Sequence, residues 1–261
     1  MIFNMKRSTY YAAIQNKPDK YESEKELIKQ IFHHHKGRYG YRRITVLVRR
    51  AGFALNHKTV KRLMNELGLK SCVRPKKYHS YKGIEGKGFP NILQRNFKTT
   101  GFNEKWVTDV TEFNISGQRI YLSALIDLYN QEVISYTISH RPTLNFVCKM
   151  LSNVFEKYNN LKGLIIHSDQ GWHYRTERYT QMLKMKDVTQ SMSRKGNCHY
   201  NCMAENFFGL LKTEFYYMNK FSSVEELKKA LVEYIAYYNT ERIKIGLNGL
   251  SPIEFRAQYA A

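Results

Sequence analysis

Three acidic residues stand where a carboxylate is either costly to bury or well placed for chemistry. Asp109 lies in the β-rich run WVTDVTEF beside Trp106 and Val110, and a charge there is costly unless a cation or hydrogen bonds hold it. Asp169 ends the apolar run LIIHSD, and Glu205 opens the helical run ENFFGLLKTEF. Taken singly, they could be a solvated strand residue, a turn residue and a helix-surface residue. Converging from a strand, a strand end and a helix, they predict a site for two phosphate-bridging Mg²⁺ ions.

The elements that must position these acids follow from the period of the apolar residues. WVTDVTEFNI, RIYLSALIDLY and QEVISYTIS predict a three-strand meander. A helix over 142–158 that begins at Pro142, a strand in KGLIIHSD, a helix over 176–185 and a strand in VTQSM follow. The order βββαβαβα is typical of a ribonuclease-H-like α/β fold, with a mixed five-stranded sheet and flanking helices. A last amphipathic helix, VEELKKALVEYIAYYN, is predicted to pack on this core or on a second subunit.

The amino-terminal part has helical spacing instead. ESEKELIKQIFHHH, RRITVLVRRAGF and HKTVKRLMNELG predict three short helices, the third capped by Asn56 and ended by Gly68. A basic third helix favours a small all-α helix-turn-helix domain that binds DNA, and a structural bundle with a solvated basic face is the alternative. The candidate DNA contacts here are His57, Lys58, Lys61, Arg62, Arg42 and Arg43.

The charge distribution supports a polyanionic partner. The net charge is +20, and residues 1–100 hold 23 Lys and Arg against 6 Asp and Glu. No apolar run is long enough to span a bilayer, no signal peptide is present, and the four cysteines predict reduced thiols, so we expect a cytoplasmic protein with no membrane partner. The predicted segments are an arm (1–21), a helix-turn-helix domain (22–70), a basic linker (71–102), a catalytic core (103–220) and a helical extension (221–261).

Several longer motifs occur in a fixed order along nearly the whole chain. They are KGRYGYRRI, NHKTVKRLM, WVTDVTEF, HSDQGWHY, SMSRKGNC, ENFFGLLKTE and YYNTERIKIGLNGLSP. With 35 residues between Asp169 and Glu205, this series resembles the Asp-Asp-Glu transposases of bacterial insertion sequences. The resemblance is to the second-reading-frame (OrfB) product of the IS-three group, which is related to retroviral integrases.

The resemblance implies an integrase core that cuts a phosphodiester at a transposon end and joins the freed 3′-hydroxyl to another strand. It implies Asp109, Asp169 and Glu205 as ligands of two Mg²⁺ ions, with Mn²⁺ as a substitute. It assigns Arg194, Lys195 and Lys212 to DNA phosphates. It also implies a homo-oligomer on DNA and an upstream reading-frame product, joined as a frameshift fusion. One departure concerns Tyr200-Asn201-Cys202, where the family has Asp-Asn-Ala: Asn201, a further DNA-contact candidate, is kept, but the acid is absent.

Other interpretations of the same residues stay open. Cys198, His199 and Cys202 suggest zinc but lack a complete ligand set, as do His33, His34 and His35. Trp172 could stack on an unpaired base or form an aromatic wall. His167 and His173 are expected to be structural, Asp127 to order a turn, and Glu112 to face away from Asp109. The rival functions are a DNA-binding regulator with an inert core and a nuclease without strand joining.

Overall fold

The computed structural model describes residues 19–72, 90–94, 96–193 and 202–259, with only the backbone of Cys202. The chain divides into two compact units, residues 1–73 and 74–261. The predictions for Arg194, Lys195 and Asn201, and for the zinc ligands Cys198 and His199, lie outside the described residues.

The described part of the first unit, residues 19–72, folds into α1 (Glu22–His34), α2 (Tyr41–Arg50) and α3 (His57–Glu66). The Asn56 side chain caps α3 by accepting a hydrogen bond from the Lys58 backbone N–H at 2.9 Å. Gly68 follows α3 with a φ of +68°, a left-handed conformation that favours glycine after a helix end. The apolar stripes meet in a common core, which contains Ile28, Phe32, Ile44, Val48, Val60, Leu63 and Met64.

Ion pairs connect Asp19 and α1 to α3. Lys25 on α1 contacts Asp19 at 2.6 Å and Glu66 at 2.9 Å. Glu66 also pairs with Arg62, whose guanidinium lies over the Tyr21 ring. Arg62, predicted as an outward DNA contact, therefore has a partner within the unit.

The second unit begins with three antiparallel strands, β1 (Lys105–Ile115), β2 (Gln118–Asp127) and β3 (Val133–Ser139). Strands β4 (Ile165–Ser168) and β5 (Thr189–Met192) add to β1 in parallel, which gives the order β3-β2-β1-β4-β5. The remaining elements are α4 (Leu144–Lys157), α5 (Glu177–Lys184), α6 (Cys202–Glu214), α7 (Val224–Thr240) and α8 (Pro252–Tyr259). The predicted fold class, a mixed five-stranded sheet with flanking helices, is confirmed.

The two faces of this sheet carry separate apolar cores. Val107, Ile120 and Leu122 belong to a core shared with α6 and α7. Trp106, Leu125 and Ile134 belong to one shared with α4 and α5. Helix α4 begins after Thr143, which caps it by accepting from the Phe146 N–H, and not at Pro142 as the sequence predicted. The sequence left open whether α7 packs on the core or on a second subunit. In the structure, α7 packs on the core of its own chain.

Buried charges lie where helices join this sheet. Arg242, which follows α7, donates two hydrogen bonds to Glu214 at the end of α6, at 2.6 and 2.5 Å, and both side chains are 1% exposed. Arg256 on α8 contacts Glu132 at 2.5 Å and Asp127 at 3.3 Å. A buried ion pair is favourable only when its hydrogen bonds are formed. These pairs therefore restrict the positions that the helices can take on the sheet.

The end strand β3 is partly closed by a side chain. The Asn239 amide on α7 accepts a hydrogen bond from the Val133 N–H at 3.0 Å and donates one to the Val133 carbonyl at 2.9 Å. Asn239 therefore supplies both hydrogen bonds that a neighbouring strand would make at Val133.

The last part of the predicted linker packs against the other end of the sheet. The Met192 N–H donates to the Pro90 carbonyl at 3.3 Å, and Leu93 is buried. The Ser191 hydroxyl accepts from the N–H groups of Ile92 and Leu93 at 3.0 and 3.4 Å.

No helix in the described parts of the chain is both long enough and apolar enough to cross a membrane.

Candidate active site

Asp109 lies in the middle of β1, half-buried, in a strand paired on both sides. Its Oδ1 accepts a hydrogen bond from the Val110 N–H at 2.8 Å, which fixes the direction of the carboxylate. The neighbouring strand β4 runs parallel to β1 with Val107 opposite His167. Each acid follows its member of this last pair by two residues, Asp109 within β1 and Asp169 directly after β4.

Asp169 follows β4 directly and is held by the turn after it. Its Oδ1 accepts a hydrogen bond from the Gly171 N–H at 2.8 Å. A Cβ at position 171 would lie 2.9 Å from that same oxygen and 3.2 Å from the Tyr174 ring. A side chain at position 171 would therefore displace the Asp169 carboxylate or the Tyr174 ring.

Glu205 stands in the first turn of α6. Phe208 and Leu211 of this helix, and Phe215 directly after it, are buried in the core shared with β1. Lys212, two turns along α6, places its ammonium 5.7 Å from the centre of the Phe113 ring of β1. The packing of α6 thus places Glu205 and Lys212 on the side of the sheet that carries Asp109.

The three acids form one electrostatic group. Burial, then the charge of Asp169 and to a smaller extent that of Glu205, raise the pKa of Asp109 to about 7, while Lys212 opposes this rise. Partial loss of water also raises the pKa of the surface residue Asp169. The site is therefore short of positive charge: burial is the main reason for the raised pKa of Asp109, and the neighbouring carboxylates add to it.

The donor set fits a hard divalent cation. Its ligand atoms are carboxylate oxygens, which Mg²⁺ prefers. Among the described residues, however, no three acid, histidine or cysteine side chains lie close enough together to form a metal-binding group. Asp109, Asp169 and Glu205 therefore lie in one electrostatic group without forming a closed ligand shell.

The histidines beside Asp169 have structural partners, as predicted. His167 is buried, and its Nδ1 lies 2.9 Å from the Ser191 hydroxyl. The Nε2 of His173 donates to the Pro142 carbonyl at 2.6 Å. Both expected non-site acids also have structural roles: Asp127 accepts from the Asn103 and Tyr129 N–H groups, and the exposed Glu112 pairs with Arg119.

The remaining candidates lie on the three-helix unit or near the acids. His57, Lys58 and Lys61 are exposed on α3, and Lys61 lies over the Tyr41 ring. The Arg42 and Arg43 guanidinium groups lie over the rings of Tyr41 and Tyr39. Trp172 begins a 3-10 helix (Trp172–Arg175) after Asp169 and is exposed.

Sequence reasoning missed Tyr174. This tyrosine is fully buried beside Asp109 and Asp169, and burial followed by those two charges raises the pKa of its hydroxyl. Its one sequence signal was its place at the end of the HSDQGWHY run. The Glu214–Arg242 pair was missed as well, because a contact between residues 28 positions apart leaves no periodic signal.

A sheet in the order β3-β2-β1-β4-β5, with helices on both faces, one acid within β1 and one directly after β4, defines an integrase-type, ribonuclease-H-like core. Family models agree: an integrase core domain matches residues 100–198, a second integrase core domain 205–259, and an HTH-like domain 19–78.

Curated relatives cover most of the chain. InsK of insertion sequence element IS150 from Escherichia coli is 52% identical over 254 residues, 97% of this chain and 90% of the relative. The transposase of IS904 from Lactococcus lactis is 34% identical over 93% of this chain and 98% of its own length. The transposase InsF of IS3A from Escherichia coli is 33% identical over 84% and 77%. The chain belongs to the IS3-group insertion-sequence transposases, as the sequence motifs predicted, and it is a polynucleotidyl transferase with a DNA-binding HTH-like domain.

Solved structures are more distant. The catalytic core domain of HTLV-2 integrase matches with a TM-score of 0.48 and 15% identity, over 59% of this chain and 95% of that one. The core of BIV integrase matches with a TM-score of 0.47 and 18% identity, over 60% and 96%.

Proposed function

We propose that Asp109, Asp169 and Glu205 hold two Mg²⁺ ions, with Mn²⁺ able to replace them, and that this site cuts DNA at transposon ends and joins the cut end to another strand. The observation that carries the proposal is the raised pKa of Asp109, which Asp169 and Glu205 both raise further. A buried carboxyl group whose charge two further acids from other elements disfavour is best explained by a cation that binds among them.

The bound ions would activate the attacking water or 3′-hydroxyl and stabilise the leaving oxygen of an in-line displacement. The protein's part is to orient its ligands. The Val110 N–H fixes one oxygen of Asp109, and the Gly171 N–H fixes one of Asp169. Lys212, whose charge reaches Asp109, is placed to contact a DNA phosphate. From the resemblance we assign the same role to Arg194 and Lys195, and a DNA contact to Asn201.

The three-helix unit is proposed to position the DNA. In a helix-turn-helix the last helix enters the major groove, so we assign base and phosphate contacts to the exposed residues of α3. They are His57, Lys58 and Lys61. Arg42 and Arg43 on α2 are assigned to the phosphate backbone. Arg62 keeps its place among the candidates, but its pairing with Glu66 makes it the weakest of them.

We retain the predicted segments as a division of labour: an arm (1–21), DNA binding (22–70), linker (71–102), catalysis (103–220) and a helical extension (221–261). The resemblance supports two further proposals, a homo-oligomer on DNA and a working form fused to the upstream reading-frame product. Comparing strand transfer by the chain alone and by the fusion tests the second. Equal rates would contradict the need for fusion.

The decisive experiment measures cleavage and strand transfer on labelled DNA that carries the ends of the encoding element, with Mg²⁺ or Mn²⁺. Asp109→Asn, Asp169→Asn and Glu205→Gln are each expected to lower both products by more than about a hundredfold while DNA binding is kept. Glu112→Gln is the matched control, because it removes an acid of β1 that pairs with Arg119 outside the site.

The outcomes separate the rival functions. Full activity in any one of the three variants removes that residue from the site. Wild-type binding without any cleavage favours a DNA-binding regulator with an inert core. Cleavage without joining favours a nuclease.

A further inference from the structure

The two tryptophans of the chain have opposite surroundings. Trp106 is fully buried in the sheet, whereas Trp172 is 56% exposed. More than half of the Trp172 side chain is open to solvent, and the π-face of an exposed indole is a good partner for a flat ring.

The exposed indole is supported from behind. The His173 ring lies against Trp172 with 4.0 Å between ring centres and 30° between planes. His173 is itself buried, and its Nε2 donates to the Pro142 carbonyl at 2.6 Å. This anchored ring limits the movement of Trp172, so stacking on the indole costs little side-chain entropy.

A positive charge lies on the same side. Side chains three residues apart eclipse each other in a 3-10 helix, so Trp172 and Arg175 share a face of the helix Trp172–Arg175. Arg175 is exposed and has no ion pair in the described part of the chain. An aromatic face next to a guanidinium suits a nucleobase attached to its phosphate.

This pair is close to the proposed cutting site. Three peptide units separate Trp172 from Asp169, so their Cα atoms lie at most about 11 Å apart. The Tyr174 N–H donates to the Gly171 carbonyl at 3.1 Å, which ties the 3-10 helix to the turn that holds Asp169. At about 3.4 Å per base, a base on Trp172 would lie within about three nucleotides of the reacting phosphate.

We propose that Trp172 and Arg175 form a binding site for one unpaired nucleotide next to the reacting phosphate, with the base stacked on Trp172 and its phosphate held by Arg175. A base inside a duplex has both faces covered, so the site takes only an unstacked one. The nucleotide comes either from the transposon end or from the target strand. The inference rests on the proposed function for its place in the reaction, but the binding itself needs neither metal nor cleavage.

The first test uses the fluorescence of Trp172 in the full chain without divalent metal. A single-stranded oligonucleotide of about 12 nucleotides is expected to quench the emission by stacking, and a blunt duplex of the same sequence to quench it far less. Trp172→Phe removes this signal and leaves that of buried Trp106. Anisotropy of a labelled oligonucleotide measures binding independently. Binding to wild-type protein without quenching of its fluorescence overturns the proposal.

The second test measures affinity and locates the source of the base. Trp172→Ala is expected to weaken single-strand binding about tenfold, Trp172→Phe less, and Arg175→Ala severalfold. Tyr217→Ala is the control, since Tyr217 is 60% exposed and lies in a different element. Equal losses in the Tyr217 and Trp172 variants overturn the proposal.

In a further test, abasic nucleotides are placed one at a time in the transposon end, and then in the target. At one position the missing base should slow joining by the wild-type protein but should not slow joining by Trp172→Ala any further. We call this loss of the abasic effect in the variant coupling. The strand in which coupling occurs, transposon end or target, is the source of the bound base. Quenching without coupling at any position overturns the placement beside the reacting phosphate. A wild-type protein that quenches but never cuts keeps this binding site and overturns only the proposed function.

Discussion

Asp109 and Asp127 lie in neighbouring strands of one sheet, and their surroundings are opposite. Asp127 accepts hydrogen bonds from the Asn103 and Tyr129 N–H groups and contacts Arg256 at 3.3 Å. Asp109 has one backbone N–H donor, that of Val110, and burial together with the charges of Asp169 and Glu205 raises its pKa to about 7. The same residue type therefore serves stability where donors surround it, and leaves charge for a cation where acids do.

Glu214 is a third acid for this comparison, and its buried charge is fully paired with that of Arg242. Arg242 donates two hydrogen bonds to Glu214, and the Tyr234 hydroxyl adds one at 3.3 Å. Because α6 ends at Glu214 and begins near Glu205, this contact fixes the position of the helix that carries the third acid.

The largest effect is expected from breaking that pair. Arg242→Met leaves Glu214 charged and buried, and should lower the free energy of unfolding by about 3–5 kcal/mol. The double variant Glu214→Met with Arg242→Met should recover most of this loss, since neither charge then remains buried. Urea unfolding measures both, with exposed Lys229→Met as the control. A double variant as unstable as the single one would contradict the explanation.

Asp127→Asn should cost about 1–3 kcal/mol, because an amide cannot accept from both the Asn103 and Tyr129 N–H groups as the carboxylate does. Thermal unfolding at neutral pH measures it. An unchanged melting temperature would mean that the Asp127 contacts contribute nothing to stability.

Asp109→Asn should have the opposite sign, a gain of about 1–2 kcal/mol at pH 8 without divalent metal. The pKa of Asp109 is higher in the folded than in the unfolded chain, so its contribution to stability falls as the pH rises from about 4 to about 7. The gain should therefore shrink towards pH 4.5 and also on adding Mg²⁺ to the wild type. A pH-independent difference between variant and wild type would rule out this electrostatic origin.

Gly171→Ala should separate position from stability. The added Cβ would lie 2.9 Å from Asp169 Oδ1, which must rotate away, and 3.2 Å from the buried Tyr174 ring, which must give by a few tenths of an ångström. Stability should fall by about 1 kcal/mol or less while strand cleavage falls about tenfold. Gly163→Ala, at a positive φ with open space around it, is the contrasting variant, and it should lose stability but not specific activity.

The smallest effect concerns paired and unpaired cations on α3. Lys61→Met should reduce the dependence of DNA affinity on salt concentration by about one ion, whereas Arg62→Met should leave it unchanged because Glu66 already occupies that guanidinium. Fluorescence anisotropy at several salt concentrations measures both slopes. Equal reductions would restore Arg62 as a phosphate contact.

Local pattern was enough for most of the fold. The periodicity around Leu63 and Val147, and the strand run that contains Asp109, predicted elements that the structure confirms within a few residues. Pattern was not enough where side chains from distant parts of the chain meet. Leu93 was assigned to a linker because its surroundings are basic and aperiodic, yet it is buried and its N–H bonds to Ser191. Arg62 looked outward by helical position, but its partner Glu66 lies one turn further on.

The candidate site was predicted as a set of acids, and the structure adds what relates them. The parallel pairing of β1 and β4 through Val107 and His167, which no local run encodes, starts both acids from neighbouring strands. The burial of Tyr174 beneath them depends on how the 3-10 helix packs, and its sequence position alone carried no sign of it.

The contact between Asn239 and Val133 has a consequence for synthesis in the cell. Val133 leaves the ribosome 106 residues before the side chain that closes the end of β3. At about 5–20 residues per second, the N–H and carbonyl of Val133 at the edge of β3 lack this partner for about 5–20 s. During that time nascent chains on one messenger can pair through β3, so slowing translation between these codons should increase aggregation, and Asn239→Leu should make the exposure permanent.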